Sequence, residues 1–234
     1  MDKQTLDDFK THVAADYPHE AVGAVLTSGE YVPLNNIAAE PRLDFEVDFA
    51  EIHGKPITHI LHSHTISELE HPSLADQVNS QNHAFSWGLI RYDGRNFSRF
   101  VEWGPYSPVE PLVGRSYCWF IRDCWTVIRD WFRLEHDLVL PNPPRDYNEW
   151  VSARVDMYDH HLRLNNFTRV DSPQVGDVVV VKLSMQRPHH AGVIVNNSEI
   201  LHHFGPQAGR LSETTGLQWL RRPGTRLYRL TQQS

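Results

Sequence analysis

Apolar residues in the first hundred positions of the chain follow two different periods. Leu6, Phe9 and Val13 lie three or four residues apart, which predicts an amphipathic helix near the start of the sequence. Two continuous apolar runs of strand length, AVGAVL (21–26) and ITHIL (57–61), predict buried strands instead. The predicted elements of this half are a helix over residues 4–16, strands at 21–26 and 57–61, a helix after Pro72, and the strands FSWGLIRYDG and RNFSRFVEW joined by a turn at Asp93-Gly94.

The second half begins with a stripe of helical period and then changes to short apolar runs. GDVVVVKL (176–183), HHAGVIV (189–195) and EILHHF (199–204) predict three strands, and Asn196-Asn197 supplies a turn between the last two. TRLYRL predicts a final strand, and PNPPRDYNEW, which follows neither period, predicts a loop. The helical stripe comprises Ile121, Cys124, Trp125, Ile128, Trp131 and Phe132.

A proline-rich segment divides the two patterns. GPYSPVEPLVG (104–114) carries Pro105, Pro108 and Pro111, a density that prevents regular structure and favours an extended connector. The chain of 234 residues is long enough for two domains of ordinary size. The predicted organisation is two α+β domains, residues 1–105 with a mixed sheet and helices, and residues 106–234 with a helix followed by antiparallel strands.

Composition and charge exclude several classes of protein. The formal net charge is −7, with 29 acidic and 22 basic residues, and no basic stripe suited to nucleic acid is present. No apolar run reaches the length of a membrane span, and the acidic start MDKQTLDDFK is not a signal peptide. The spacing of Cys118 and Cys124 does not suit a disulfide framework, so we expect a protein made in a reducing cytoplasm.

The first candidate site follows the run ITHIL. His62 and His64 are two residues apart on a predicted strand, so their side chains point to the same face and can bind one zinc ion. Asp76, in the first turn of the next predicted helix, is a third ligand candidate. Three protein ligands leave a fourth position for water, as in catalytic zinc sites, and Glu20 is the candidate acceptor of that water's proton.

Purely structural interpretations explain the same residues. Ser73 and Asp76 form a capping box in its aspartate form, which requires no metal. His62 and His64 can also be packing residues of a core. The cap and the ligand interpretations are compatible, because a cap fixes the turn that orients Asp76. Two further histidines, His71 and His83, are interpreted as surface residues.

YPHEAVGAVL, then HSH, then PSLAD resembles the pattern of the JAMM (MPN+) metallopeptidases: a glutamate, His-x-His and Ser-x-x-Asp. The resemblance covers residues 5–105 and implies a JAB/MPN-like fold. Two features depart from the pattern: Thr65 stands where a proline usually follows the second histidine, and the loop to Ser73 is one residue longer. The implied roles are zinc ligands His62, His64 and Asp76, general acid/base Glu20, and an oxyanion-stabilising Ser73.

The second candidate site begins at a predicted helix start. Asp123 can cap this helix, which puts Cys124 at its first helical position. Unpaired N–H groups and the helix dipole there favour a thiolate and lower the thiol pKa, as a nucleophile requires. The alternative interpretation is structural, because Cys124 also lies on the apolar stripe and free cysteine is often a small buried residue.

Two pairs of histidines on the later strands are candidates for the base. HHAGVIV contains His189 and His190, and EILHHF contains His202 and His203. If these strands form a hairpin, His190 lies opposite or nearly opposite His202, so one imidazole can take the proton of Cys124 while the other orients it. Each pair taken alone fits surface residues, but the order Cys, His, His on helix, strand and strand favours a catalytic unit.

The segments DC, GDVVVV, HAGVIV and ILHH resemble the NlpC-type cysteine peptidases, which cut peptide stems of bacterial cell walls. The resemblance covers residues 112–234 and implies a papain-like domain. By position it makes Cys124 the nucleophile, His190 the base and His202 the orienting residue. Phe120 occupies the position where that family often has glycine.

A JAMM-like half followed by an NlpC-like half resembles the tail assembly protein K family of long-tailed phages. The resemblance implies assembly with other tail tip proteins in the host cytoplasm, a place at the virion tail tip, and opening of peptidoglycan by the cysteine domain. The zinc domain would then process a protein during assembly. A structural adaptor with inactive sites is the alternative. A host-encoded wall-remodelling enzyme is a third, which the missing export signal disfavours.

Overall fold

Two units follow one another along the chain of this computed structural model, Met1–Pro108 and Val109–Ser234. Both combine helices with a β-sheet, which confirms the α+β prediction. The structure describes residues 1–65, 70–146, 148–149, 156–182, 190–205 and 211–231. No helix within these ranges is long and apolar enough to cross a membrane.

The N-terminal unit is a five-stranded mixed sheet with the strand order β2-β1-β3-β4-β5. Only the neighbours β3 and β4 are parallel, and helix α2 lies between them in the sequence. Its elements are α1 (Lys3–Asp16), β1 (Val22–Leu26), β2 (Tyr31–Leu34), a 3-10 helix (Phe49–Ile52), β3 (Ile57–His64), α2 (Leu74–Gln81), β4 (Ser86–Arg91) and β5 (Val101–Trp103).

Helix α1 supplies the apolar face that its sequence period predicts. Phe9 and Val13 are fully buried and pack with Leu61 of β3 and Ile90 of β4. The Asp2 side chain caps the helix by accepting from the Thr5 N–H at 2.9 Å. This core fixes the central strand β3, whose C-terminal residues form the first candidate site.

The C-terminal unit is a six-stranded antiparallel sheet with the strand order β10-β9-β8-β7-β11-β6. Helix α3 packs on strands β8 and β9. Its elements are α3 (Cys124–His136), α4 (Met157–Leu164), β6 (Phe167–Val170), β7 (Val178–Val181), β8 (His190–Ile194), β9 (Glu199–His202), β10 (Glu213–Gly216), a 3-10 helix (Leu217–Arg221) and β11 (Arg226–Leu230).

A large apolar core joins α3 to one face of this sheet. Ile128, Trp131 and Phe132 from the predicted helical stripe are all buried there, against Val178 and Val193. Cys124 packs at the edge of the same core and stays partly exposed. The stripe therefore places the thiol at the boundary between the core and solvent.

The sequence patterns found the central strands and missed those at the edges. Strands β2, β6 and β10 were not predicted, and β5 is shorter than the predicted run RNFSRFVEW. All four are edge strands, which bond one neighbour only and therefore tolerate polar residues or a proline such as Pro33. Helix α4 was also missed. Two predicted strand residues, Leu183 and His189, lie outside the described residues.

The proline-rich connector is anchored on both sides. On the N-terminal side, the Tyr106 N–H donates to Ser86 Oγ at 2.7 Å. On the C-terminal side, the Arg115 guanidinium donates to the Pro111 carbonyl at 2.8 Å and to the Glu110 carbonyl. The stretch between these anchors, residues 107–109, joins the two units.

Candidate functional sites

The N-terminal unit brings together the three predicted metal ligands. His62 and His64 project from the same face of β3, and Asp76 lies in the first turn of α2. His62 Nε2 is 3.3 Å from one carboxylate oxygen of Asp76, and His64 Nε2 is 3.3 Å from the other. All three side chains are buried, and their donor atoms lie within 4.8 Å of one another.

A capping box orients Asp76. The Ser73 hydroxyl accepts from the Asp76 N–H at 3.1 Å, and the Ser73 N–H donates to Asp76 Oδ2 at 2.7 Å. The same hydroxyl lies 2.7 Å from Asp76 Oδ2. The capping interpretation is therefore confirmed, and the cap holds the carboxylate against both histidines. The predicted contact of Ser73 with an oxyanion stays a prediction.

The surroundings of His62 fit a metal better than a packing role. The ring is fully buried between aromatic side chains, 4.8 Å from Phe45 and 6.2 Å from Trp87 between ring centroids. Among the described residues neither ring nitrogen makes a well-directed hydrogen bond, so the contact of Nε2 with the Asp76 carboxylate at 3.3 Å leaves this buried imidazole incompletely satisfied. Zinc ligands in a tetrahedron lie about 3.4 Å apart, close to the observed spacing of His62 and Asp76.

Glu20, the predicted acid/base, is buried immediately before β1. Its N–H donates to the Pro41 carbonyl at 2.7 Å, which fixes the backbone. Burial raises the pKa of Glu20 to about 8, with His64 opposing this shift and Asp76 adding to it. The charges of His64 and Asp76 therefore act on the Glu20 carboxyl group, and its role as general acid/base stays a prediction.

The charge state of Asp76 suits a ligand. Burial alone would raise the pKa of its carboxyl group, but His62 and His64 outweigh that effect and hold the pKa well below its usual range. Asp76 therefore presents a carboxylate toward both imidazoles, the form that coordinates a cation.

In the C-terminal unit, the helix start at Cys124 is built as predicted. The Asp123 carboxylate accepts from the Thr126 N–H at 2.9 Å, and the Asp123 N–H donates to Thr126 Oγ1 at 2.7 Å. Asp123 is buried and also pairs with the guanidinium of Arg145, which comes from the long loop after α3. Cys124 is the first residue of α3.

His190 and His202 meet on one face of the sheet. His190 Nε2 lies 3.4 Å from His202 Nδ1, and both rings are buried. Phe204 stacks on the His190 ring at 5.0 Å. Beyond them, Glu213 of the edge strand β10 pairs with His202 in register, and its Oε1 is 3.9 Å from His202 Nε2.

The Cys124 thiol lies against strand β8 at Ala191, which belongs to the same core as α3, whereas His190 and His202 both pack against Trp219 of the second core of this unit. The Tyr158 hydroxyl lies 2.9 Å from the sulfur. The predicted lowering of the thiol pKa is wrong. Burial and the nearby Asp123 carboxylate raise the pKa of Cys124 to about 11, so the thiol is neutral near pH 7.

Phe120 adopts the backbone conformation that glycine prefers. Its φ is +69°, in the left-handed region, and its ring is buried. The strained turn is held by the Phe120 N–H, which donates to Asp123 Oδ2 at 2.9 Å, and by the Asn142 side chain, which donates to the Phe120 carbonyl at 2.9 Å. A glycine-like conformation is therefore required here even though the residue is phenylalanine.

Three other histidines considered from the sequence are not among the proposed ligands or catalytic residues. His83 is exposed, as predicted, and stacks on Phe85 at 4.8 Å. His71, predicted to be a surface residue, is partly buried beside Pro72. His203 is buried and packs edge-on against Tyr117.

Sequence reasoning missed Tyr158, Arg145 and Glu213. Tyr158 comes from α4, whose short sequence MYDHHLRL was not interpreted as a helix, and Arg145 lies in a loop. Glu213 belongs to the polar edge strand β10. Two local signals could have found this helix: the four-residue spacing of the buried Tyr158 and Leu162, and the Asp156 side chain, which caps α4 by accepting from the Asp159 N–H at 3.1 Å.

Comparison with known proteins matches this chain to one family and to phage proteins. The model of the NlpC/P60 family matches residues 102–222. Tail tip assembly protein K of Escherichia phage N15 is 27% identical over 213 residues, which are 87% of this chain and 86% of that protein. Tail tip assembly protein K of Escherichia phage lambda is 28% identical over 116 residues, 49% of this chain and 57% of that protein.

Among solved structures, a protein from Salinibacter ruber studied in solution resembles part of the chain. It is 19% identical and covers 44% of this chain and 79% of its own, with a TM-score of 0.31. A similarity this weak supports no argument about fold or function.

Proposed function

The chain belongs to the NlpC/P60 family, and from that membership we propose that its C-terminal unit, residues 106–234, is a cysteine peptidase with Cys124 as nucleophile, His190 as base and His202 as orienting residue. One observation carries the proposal. The Ala191 N–H is near enough to the Cys124 sulfur to help lower the pKa of the thiol, and the preceding residue on β8, His190, is 3.4 Å from His202. Contact of the nucleophile with the strand that carries the base, and of the base with a second histidine, supports this assignment.

The neutral thiol sets the order of proton transfers. The Cys124 proton passes to His190 as the sulfur attacks a peptide carbonyl carbon, so an S–C bond forms and the C–N bond then breaks. His190 returns the proton to the leaving amine. Water then hydrolyses the thioester, with His190 taking a proton from water and delivering it to the sulfur. His202 holds the His190 ring in place through Nε2.

The substrate that fits this family and these relatives is the peptide stem of peptidoglycan. The relatives from phages N15 and lambda bear the name tail tip assembly protein K, which supports a role for this chain in phage tail assembly. The protein would act with other tail tip proteins, assembling in the host cytoplasm and cutting the wall from the virion tail tip during host entry.

The N-terminal unit, residues 1–105, is the second part of the proposal, a zinc metallopeptidase domain of JAMM type. The cluster of His62, His64 and Asp76 supports it, because two imidazoles and a carboxylate surround one point in a buried site. These three residues would hold zinc, which supplies Lewis acidity and an activated water when bound. Glu20 would move a proton, and Ser73 keeps Asp76 oriented.

Digestion of purified peptidoglycan tests the cysteine domain. The full-length chain releases stem peptides that mass spectrometry identifies, and Cys124→Ala releases none. Cys118→Ala is the matched control, because Cys118 is a free, buried cysteine of the same unit outside the candidate site. If Cys124→Ala digests the wall as well as the unmodified chain, the adaptor function, with an inactive cysteine site, replaces this proposal.

A further inference from the structure

A tyrosine outside the proposed catalytic unit contacts its nucleophile directly. The Tyr158 hydroxyl lies 2.9 Å from Cys124 Sγ, and the two residues are 34 positions apart in the sequence. We propose that Tyr158 is a further catalytic residue, whose hydroxyl donates a hydrogen bond to the Cys124 thiolate as it forms. This inference rests on the proposed cysteine peptidase function.

The direction of this hydrogen bond follows from the chemistry of the two groups. Between a neutral thiol and a phenol, either atom can donate. A thiolate has no proton, so it can only accept, and Tyr158 then becomes the donor. The phenol keeps its proton throughout, because burial and the neighbouring Cys124 raise the pKa of Tyr158 well above its usual range.

Contacts between helix α4 and strand β11 hold Tyr158 in position beside the Cys124 sulfur. The next residue, Asp159, accepts from the Tyr228 hydroxyl at 2.6 Å, which ties α4 to strand β11. Asp156 caps the helix and pairs with the Arg226 guanidinium of the same strand, β11. Tyr158 itself is only 3% exposed. The contact with Cys124 is therefore set by the fold of the unit.

A donor to the sulfur matters because the two largest effects at the site oppose the thiolate. The thiol sits in a buried setting beside the carboxylate of Asp123, and both disfavour negative charge on sulfur. Arg145 and the Ala191 N–H oppose these effects, and the Tyr158 hydroxyl lies within hydrogen-bond distance of the sulfur. Hydrogen bonds to a charged acceptor are stronger than those between neutral groups, so the Tyr158 bond strengthens when the proton leaves.

The proton and charge balance assigns each group one task. The proton of Cys124 moves to His190, the Tyr158 O–H stays intact, and negative charge appears on the sulfur. When the S–C bond forms, that charge passes to the carbonyl oxygen and the Tyr158 hydrogen bond weakens. Tyr158 therefore favours the ionised nucleophile and takes up no proton itself.

Tyr158→Phe tests the inference, because it removes only the hydroxyl. The thiolate of Cys124 is followed by its ultraviolet absorbance during a pH titration. The absorbance of the same protein carrying Cys124→Ala is subtracted at each pH, so that only the signal of Cys124 remains. Loss of a hydrogen bond to a charged group shifts the midpoint upward by about one pH unit or more. Alkylation by iodoacetamide at mildly alkaline pH slows about three- to tenfold, since the smaller thiolate fraction is partly offset by greater nucleophilicity.

Tyr31→Phe is the matched control. It deletes a partly buried phenol hydroxyl that bonds His12 Nδ1 at 2.7 Å in the N-terminal unit, so the midpoint and the alkylation rate of Cys124 should stay unchanged. Both variants are checked by circular dichroism. An unchanged titration midpoint of Cys124 in Tyr158→Phe, or faster alkylation than in the unmodified chain, would overturn the inference. Tyr158 would then only shield the thiol from solvent. Because the titration uses no substrate, its outcome is separate from the peptidoglycan test of the proposed function.

Discussion

His190 Nε2 lies 3.4 Å from His202 Nδ1, although neither residue pairs with the other in the sheet. The register of β8 and β9 places Gly192 opposite His202, two residues from His190. The two histidines are therefore diagonal neighbours on one face, a distance that long side chains bridge. The contact with His202 uses Nε2 of His190.

Replacing each histidine separates the base from the orienting residue. His190→Ala removes the proposed proton acceptor and lowers peptidoglycan cleavage about 10²- to 10⁴-fold. His202→Ala leaves His190 in place but removes the contact that orients the His190 ring. The loss of cleavage activity in His202→Ala is therefore about ten- to a hundredfold smaller than in His190→Ala. Rates of stem-peptide release, measured at saturating enzyme, provide the comparison. His136→Ala, at an exposed position in the last turn of α3, serves as control, and an equal loss in that variant would show that the effect is not specific to His190 and His202.

The alkylation of Cys124 should rise steeply with pH. Burial and Asp123 raise the thiol pKa to about 11, above the ordinary value, so thiolate is the minor form at neutral pH and grows as pH increases. The iodoacetamide rate of the free protein therefore climbs about tenfold per pH unit above neutrality, without the plateau near pH 8.5 of an ordinary thiol. The measurement uses Cys118→Ala, in which Cys124 is the only thiol. An alkylation rate that is high and constant between pH 6 and 8, as for a thiol of low pKa, would contradict the raised pKa of Cys124.

Both sites could be predicted where their signals are local. The two-residue spacing of His62 and His64 predicts that both side chains lie on the same face of a strand. The capping residues Ser73 and Asp123 predict where α2 and α3 begin. The hairpin between β8 and β9 is also local, which allowed His190 and His202 to be paired. These features depend on neighbours within a few residues, and the sequence displays them directly.

The environment of the thiol could not be predicted in this way. Tyr158 reaches Cys124 only because α4 folds back across the sheet, and Arg145 reaches Asp123 from a loop. The pKa of Cys124 depends on how deeply the helix start is buried, which no local pattern reveals. The helix-start argument considered the dipole and omitted burial, and in this fold burial is the larger effect.

The connector should be the first site of limited proteolysis. Tyr106 is exposed, with 58% of its side chain accessible, and Ser107 follows it, so chymotrypsin can cleave between them. The boundary between the two compact units lies between Pro108 and Val109, so we expect two stable fragments ending and beginning near residues 107–109. Mass spectrometry of the first products gives the cleavage point. Tyr106→Ala should slow this cut, whereas a first cut within β3 or β7 would show that the boundary is misplaced.

Metal analysis tests the N-terminal site most directly. Protein purified without chelator should contain about one zinc ion per chain, because two imidazoles and a carboxylate converge in a buried site. His64→Ala removes one ligand and should lose most of the metal, since the remaining His62 and Asp76 cannot complete the coordination sphere. Plasma mass spectrometry measures the zinc, and thermal unfolding shows whether added zinc stabilises each protein.

His83→Ala is the control for that experiment. His83 is an exposed histidine of the same unit that stacks on Phe85, so its loss should leave the zinc content and the stabilisation by zinc unchanged. Full zinc occupancy in His64→Ala would mean that the ion binds elsewhere. In that case the buried contacts of Asp76 with His62 and His64 would belong to the capping box alone, and the N-terminal unit would have no metal-dependent chemistry at this cluster.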